Sequence, residues 1–310
     1  MARAFVFPGQ GAQAIGMGRD LAEAWPVARA VFDEVDEALG EKLSSLIWEG
    51  DIAELTLTQN AQPALMATSI AAARVLEAEG FPLLGTADFV AGHSLGEYSA
   101  LCAAGSLSLS DTARLLRLRG QAMQEAVPVG VGAMAALLGL DFETATAVAA
   151  EAAQGEVCQA ANDNDPGQVV VSGHKAAVER AVEIAKAKGA KRALMLPVSA
   201  PFHCVLMQPA AARMAEALAA VVISDPVVPV VVNVRAEAVT ESRLIADLLV
   251  AQVTGSVRWR ESVQWMERAG VSEYWEIGSG KALSGMIRRI QKEALCKAVG
   301  TPADVAALKG

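Results

Sequence analysis

The stretch with the most chemical potential in this 310-residue chain is Gly92-His93-Ser94-Leu95-Gly96. A short apolar run, Phe89-Val90-Ala91, precedes it and a helical pattern follows it. A strand that turns sharply into a helix through G-x-S-x-G holds the serine hydroxyl out at the sheet edge, as a nucleophile elbow does. Glycine on each side removes the Cβ atoms that would collide where strand and helix approach. The amide of Leu95 then falls at a helix N-terminus, where unpaired N–H groups favour a developing negative charge.

A serine hydroxyl is a weak nucleophile until a proton acceptor stands beside it. The chain offers three histidines. His93 adjoins Ser94, and successive side chains at such a turn point apart. His174 follows a strand and reads as a surface or capping residue. His203, in the loop Ala200-Pro201-Phe202-His203-Cys204, is left as the base. An α/β-hydrolase orders its triad serine, acid, histidine, with the histidine near the chain end. Here a long stretch follows His203 and no acid stands out as its partner. A carbonyl or amide in place of the acid could orient the imidazole, and Gln252 is a candidate.

The elements that must position these groups alternate between strand and helix. Residues 3–7 read as a strand, and Pro8-Gly9-Gln10-Gly11-Ala12-Gln13 as a loop leading to helices near 17–24 and 26–39. Thr58 to Ala78 reads as one helix with Pro63 in its first turn. Ser110-Asp111 is the expected cap of a helix running to about 126. That helix carries Arg114, Arg117 and Arg119, and a solvated face suits Arg114 and Arg117. From 129 to 198 the order is β-α-β-β-α-β, a ferredoxin-like pattern, with residues 162–168 as a turn between its middle strands. Strands near 229–234 and 274–278, and helices near 244–252, 262–269 and up to about 291, complete the chain. The expected fold is α/β: a large, α/β-hydrolase-like domain with a mostly parallel sheet, made of residues 1–128 and 199–310, and a small ferredoxin-like subdomain inserted at 129–198.

Composition narrows the function. A net charge of −9 argues against a general nucleic-acid or acidic-membrane surface. No apolar run reaches the roughly 18 residues that span a bilayer, and the N-terminus shows no signal-peptide pattern. Four dispersed cysteines without a C-x-x-C pair suit free thiols in a reducing cytoplasm. Three scattered histidines make a metal site a poor reading. Gly9 and Gly11 do not continue into G-x-G-x-x-G, and Gly278-Ser279-Gly280-Lys281 lacks the other residues of a phosphate loop, with Trp275 and Ala282 in the required positions.

Taken together, Phe7-Pro8-Gly9-Gln10-Gly11-Ala12-Gln13, Gln62-Pro63-Ala64-Leu65, Gly92 to Tyr98, Arg119, Asn162 to Gly173 and Ala200-Pro201-Phe202-His203 occur in one order. The chain resembles the bacterial malonyl-CoA:acyl carrier protein transacylases over essentially its whole length. The resemblance implies transfer of a malonyl group from CoA to the phosphopantetheine thiol of acyl carrier protein, without a cofactor. It implies Ser94 as nucleophile and His203 as base and acid. The amides of Gln10 and Leu95 would form the oxyanion hole, and Arg119 would hold the malonyl carboxylate. Gln62 and, from the small subdomain, Asn162 would line the pocket. Gln252 would orient the histidine by its main-chain carbonyl. Phe202 resembles the malonyl-type selectivity position, where a smaller residue accompanies methylmalonyl substrates. Acyl carrier protein is acidic, so docking calls for a basic patch; the candidates are Lys191 and Arg192, in a run with Lys186 and Lys188, and Arg288 and Arg289, with Lys292. A cytoplasmic monomer is expected. The alternatives are a trans-acting polyketide acyltransferase, a serine thioesterase or esterase with no use for Arg119, and a non-catalytic carrier-docking module that forms no acyl-serine.

Overall fold

A computed structural model describes residues 2–198 and 200–309. Ser199, where the sequence places the return to the large unit, lies outside them. The first half runs β1 (Ala2–Phe7), α1 (Arg19–Ala24), α2 (Pro26–Leu39), α3 (Leu43–Glu49), α4 (Ile52–Thr56), α5 (Thr58–Ala78), the short α6 (Leu83–Thr86), β2 (Phe89–Gly92), α7 (Leu95–Ala103) and α8 (Leu109–Glu125). A second group follows: β3 (Gly132–Leu138), α9 (Phe142–Ala153), β4 (Cys158–Asp165), β5 (Gln168–His174), α10 (Lys175–Ala187) and β6 (Arg192–Met195). The chain closes with α11 (Gln208–Ala219), β7 (Val230–Val232), β8 (Glu237–Val239), α12 (Ser242–Thr254), α13 (Trp259–Arg268), β9 (Val271–Ile277), α14 (Ala282–Ile290), β10 (Leu295–Val299) and α15 (Pro302–Ala307).

Two sheets organise these elements. The larger has the order β10-β9-β1-β2-β7-β8, parallel except for the β7–β8 pair. Parallel strands need crossovers, and the helices that supply them cover both faces. On one face lies an apolar core built on α2, α5, α7 and α8; on the other, Trp259, Val263, Met266, Leu283 and Ile287 of α13 and α14 pack beneath the strands. Helix α5 is buried nearly all round, which its Ala-rich composition permits. The smaller sheet is antiparallel, in the order β4-β5-β3-β6. Along β3, Ala133, Ala135 and Leu137 face α9 and α10, while Met134 and Ala136 face the other way, toward Phe202, the two-residue period of a strand. Among the described residues no helix is long and apolar enough to cross a membrane.

Four local expectations are corrected. Residues 162–165 are strand, not turn, and only Pro166-Gly167 make the bend. Their polar side chains have fixed partners: Asp163 pairs with Arg260 at 2.8 Å, Asn164 with His93 at 2.8 Å and Asp165 with Arg289 at 2.7 Å. These contacts, with the Asp163 N–H donating to the Val257 carbonyl at 2.9 Å, tie the small sheet to α13, α14 and the elbow. The cap of α8 is Ser108, whose Oγ accepts from the Asp111 amide at 3.0 Å. The Asp111 carboxylate in turn accepts from the Ser108 hydroxyl at 2.7 Å. Pro63 sits inside α5 rather than in its first turn. Proline there leaves the Gln59 carbonyl without its helix donor. Arg117 supplies one, Nη1 to Gln59 O at 2.8 Å, and also bonds Asn60 and pairs with Glu41. Arg117 is therefore an inward clamp on α5 and not part of a solvated face, whereas Arg114 is exposed and pairs with Asp111.

Candidate active site

Ser94 joins β2 to α7 with φ of 54° and ψ of −111°, a backbone state costly for a side chain with a Cβ. The glycines around it leave no room for anything larger. A Cβ on Gly92 would lie 1.9 Å from the Gly96 carbonyl, and one on Gly96 would lie 2.2 Å from the Phe7 carbonyl. The elbow is pinned by Asn233, just beyond β7: its Oδ1 accepts from the Ser94 amide at 2.8 Å and its Nδ2 donates to the Gly92 carbonyl at 2.7 Å.

His203 reaches Ser94 from the loop before α11, Nε2 to Oγ at 2.8 Å. Its Nδ1 faces two main-chain carbonyls, Gln252 at 2.9 Å and Gly255 at 3.2 Å. Carbonyls only accept, so Nδ1 carries the proton and Nε2 is free to accept from the serine hydroxyl. His203 also holds a positive φ, 57°. Burial, and then the Arg119 cation, depress its pKa to about 3. With no carboxylate against it among the described residues, the imidazole is neutral and its Nε2 can accept a proton. His93, by contrast, lines the cavity but donates through Nε2 to Asn164 Oδ1, bracing elbow to small sheet. His174 accepts at Nδ1 from the Val157 amide, a local tie.

Among the described residues Arg119 is the one cation beside the pair, and it is 1% exposed. Its Nη1 donates to Gln62 Oε1 at 2.7 Å, and its Nη2 to Gln252 Oε1 at 2.9 Å and to Ser94 Oγ at 3.2 Å. Among the described residues no carboxylate lies within ion-pair distance of it. Burial lowers its pKa from the ordinary arginine value. A buried guanidinium held by neutral oxygens at a nucleophile is arranged to receive an anion rather than to stabilise the fold.

Gln62 is held by Thr58, its Nε2 donating to Thr58 Oγ1 at 2.8 Å, and Thr58 donates in turn to Gln10 Oε1 at 3.0 Å. Gln10 and Leu95 both line a cavity of about 340 Å³ that also touches Ser94, Arg119 and His203. Leu95 opens α7, so its amide is among those a helix cannot satisfy. The cavity's other wall is apolar: Met123, Met134, Leu196, Val198 and Phe202. Asn162, from β4, lines it too. All nine expected site residues thus converge: eight line one cavity, and Gln252 lies directly behind it.

Sequence reasoning missed what stands behind these residues. Gln252 acts through its side chain as well as its carbonyl, with Nε2 donating to Ser94 O at 3.0 Å and to Glu97 Oε2 at 2.9 Å. Glu97 also accepts from the Asn233 amide, at 2.8 Å. Asn233 follows the strand next to β2 at its carboxyl end, the place where α/β folds put functional groups, and that position was the available signal. Glu97 lies three residues beyond the nucleophile and was available in the same way. Among the described residues no cluster of three or more His, Cys, Asp or Glu could hold a metal ion. At the other glycine-rich turn, the first amides of α14 are taken by Glu276, which accepts from Leu283 N and Ser284 N.

The acyl transferase domain family matches residues 4–277. The chain belongs to this family. Within it, the similarity is to malonyl CoA-acyl carrier protein transacylases. The Bacillus subtilis (strain 168) transacylase of that name is 51% identical over 300 residues, 96% of this chain and 93% of that protein. The solved acyl-carrier-protein-S-malonyltransferase of Bartonella henselae superposes with a TM-score of 0.97 at 56% identity, covering 99% of this chain and 98% of that one. A holo complex of a type II PKS acyl-carrier protein with its malonyl-transacylase superposes with a TM-score of 0.96 at 44% identity, covering 99% and 98%. In this member of the family an elbow serine stands within hydrogen-bond distance of a histidine.

Proposed function

We propose that the chain transfers a malonyl group from malonyl-CoA to the phosphopantetheine thiol of acyl carrier protein through a malonyl ester on Ser94. The observation that carries this reading is the buried Arg119 beside the Ser94–His203 pair. Ser94 Oγ attacks the thioester carbonyl carbon while His203 Nε2 takes its proton. The amides of Gln10 and Leu95 receive the oxyanion, and such a donor is worth ~10²–10³ in rate in comparable sites. As the C–S bond breaks, His203 returns the proton to the CoA sulfur. The carrier thiol then gives its proton to His203, attacks the ester carbonyl, and Ser94 Oγ leaves as the hydroxyl. Every group in this sequence is a side chain or amide of one chain, so the reading requires no cofactor and takes the protein as a monomer.

Arg119 selects the acyl group. A malonyl carboxylate entering a buried pocket loses hydration and is compensated by a planar, bidentate cation. An acetyl group would leave that cation unpaired. Phe202, on the apolar wall, limits substitution at the α-carbon, with Gln62 and Asn162 completing the lining.

The two basic runs support carrier docking. Lys191, Arg288, Arg289 and Lys292 meet along one groove of about 620 Å³, although Lys191 precedes β6 of the small sheet and the other three lie on or just after α14. Arg192 is exposed next to it on β6. Lys186 and Lys188 are engaged with Glu183 and Glu151 and are the weaker candidates. We take residues 1–128 and 199–310 as the catalytic domain and 129–198 as the small one. Four free thiols, three of them buried, agree with a cytoplasmic setting. The carrier belongs to fatty acid synthesis in this reading; the likeness to a transacylase solved with a type II PKS carrier favours a second, polyketide, carrier. Transfer of labelled malonyl from CoA to each holo-carrier, with Ser94→Ala as control, tests both.

A further inference from the structure

Behind the site stands a buried acid that the mechanism does not use. Glu97 is fully buried in the first turn of α7, and both of its recorded hydrogen bonds fall on one oxygen. Oε2 accepts from the Asn233 amide at 2.8 Å and from Gln252 Nε2 at 2.9 Å, while Oε1 is buried without a partner among the described residues. Gln252 stands between this acid and the cation. Its Nε2 faces Glu97 and its Oε1 accepts from Arg119 Nη2 at 2.9 Å. The carboxylate thus opposes the guanidinium across one amide without touching it. A proton placed on Oε1 would break none of these bonds, so the acid can change charge while the network keeps its shape.

This arrangement bears on the reading given above, on which it rests. With the pocket open, Arg119 and Glu97 cancel. A malonyl group adds a second negative charge to the same buried site, and low-dielectric surroundings penalise the surplus. We propose that Glu97 is the exchangeable counter-charge of Arg119: it is ionised before loading and takes up one proton from solvent, at Oε1, when a dicarboxylic acyl group brings its own carboxylate to the guanidinium. Glu97 is a positioning residue, acting on the substrate only through Gln252 and Arg119.

The charged and titratable surroundings are few. From α8 comes Arg119; on α7 itself the neighbour is Tyr98, whose pKa is pushed up to about 12. Arg74 of α5 faces Cys102 at the far end of α7. β2 and β7 have no titratable side chain, and His203, resting on the Gln252 carbonyl, is neutral. Burial raises the Glu97 pKa to about 7, against the hydrogen bonds and Arg119, so the ionised acid needs only a modest push to take its proton.

The test uses malonyl-N-acetylcysteamine, a thioester without CoA's titrating phosphates. Wild-type enzyme is mixed with it in weak buffer near pH 7.5, and proton uptake is read with an indicator dye against acyl-enzyme formed, with acetyl-N-acetylcysteamine as the neutral control. Uptake of a substantial fraction of one proton per malonyl ester, and none with acetyl, is expected. In steady state the malonyl KM should fall several-fold from about pH 8.5 to about pH 6, at nearly constant kcat, since each unit of pKa is a tenfold change in proton affinity. In Glu97→Gln the KM should be low and independent of pH. A purely structural Glu97 would instead give Glu97→Gln a raised KM or reduced kcat with the pH profile unchanged. No proton uptake by wild type overturns the proposal even if the variant does not fold. Absence of any malonyl ester on wild type would strike the malonyltransferase reading itself, and is thereby distinguishable.

Discussion

His203 donates through Nδ1 to the main-chain carbonyl of Gln252 at 2.9 Å, where an aspartate would stand in a serine–histidine–acid triad. A carbonyl fixes the tautomer but carries no charge to raise the imidazole's pKa. Arg119 nearby lowers it further. At saturating substrate the rate of Ser94 acylation should therefore show no acid limb at the ordinary histidine midpoint of about 6.5. Single-turnover acylation across pH checks this, and a midpoint near 6.5 would contradict the neutral-base assignment.

The same shift has a stability consequence. A histidine whose folded pKa lies below its unfolded one stabilises the fold fully above the unfolded value. That contribution is lost as pH falls from about 6.5 toward about 3, because the unfolded chain binds the proton first. His203→Gln cannot titrate and should lose less stability than wild type over that window. Thermal melts of both proteins at a series of pH values make the comparison.

Phe202 stands on the apolar wall of the cavity beside Met134 and Val198. Phe202→Ser should raise use of methylmalonyl-CoA relative to malonyl-CoA, by roughly the 10–200-fold that one methyl group is worth in an apolar pocket. Competition between the two thioesters measures it, and an unchanged ratio removes Phe202 from the specificity account.

Carrier docking is best probed at Lys191 and Lys292, because Arg289 is already engaged with Asp165 and its loss would disturb β4. Lys191→Glu with Lys292→Glu should raise the apparent KM for carrier protein several-fold, more at low salt, and leave the KM for malonyl-CoA alone. Equal effects on both substrates would place docking elsewhere.

Arg117 offers a prediction about the scaffold. Arg117→Ala leaves the half-buried Gln59 carbonyl without the donor that replaces the amide absent from Pro63, and loss of such a hydrogen bond costs about 0.5–1.5 kcal/mol. Urea unfolding should show that loss with the slope unchanged.

Much of this was legible in residue order. The elbow glycines dictate the geometry at Ser94, and the strand–helix alternation gives both sheets. What stayed hidden had long-range causes. Residues 162–165 read as a turn because Asn and Asp favour turns, and nothing local announces that Arg260, His93 and Arg289 await them across the fold. Strands β8 and β10 are short edge strands whose pairing, rather than their composition, defines them. Arg117 looked like Arg114 because both lie on α8, and only the gap at Pro63 separates their roles. The Glu97–Gln252–Arg119 relay joins three helices, so no sequence window contains it.

The central claim is a malonyl ester on Ser94 selected by Arg119. Intact-protein mass spectrometry after incubation with malonyl-CoA or acetyl-CoA, on wild type, Ser94→Ala and Arg119→Ala, tests it most directly. The account predicts a malonyl adduct on wild type, none on Ser94→Ala, and on Arg119→Ala a loss of malonyl with a relative gain of acetyl. A steady release of free CoA with no adduct on wild type would contradict it, and would point to acyl transfer to water.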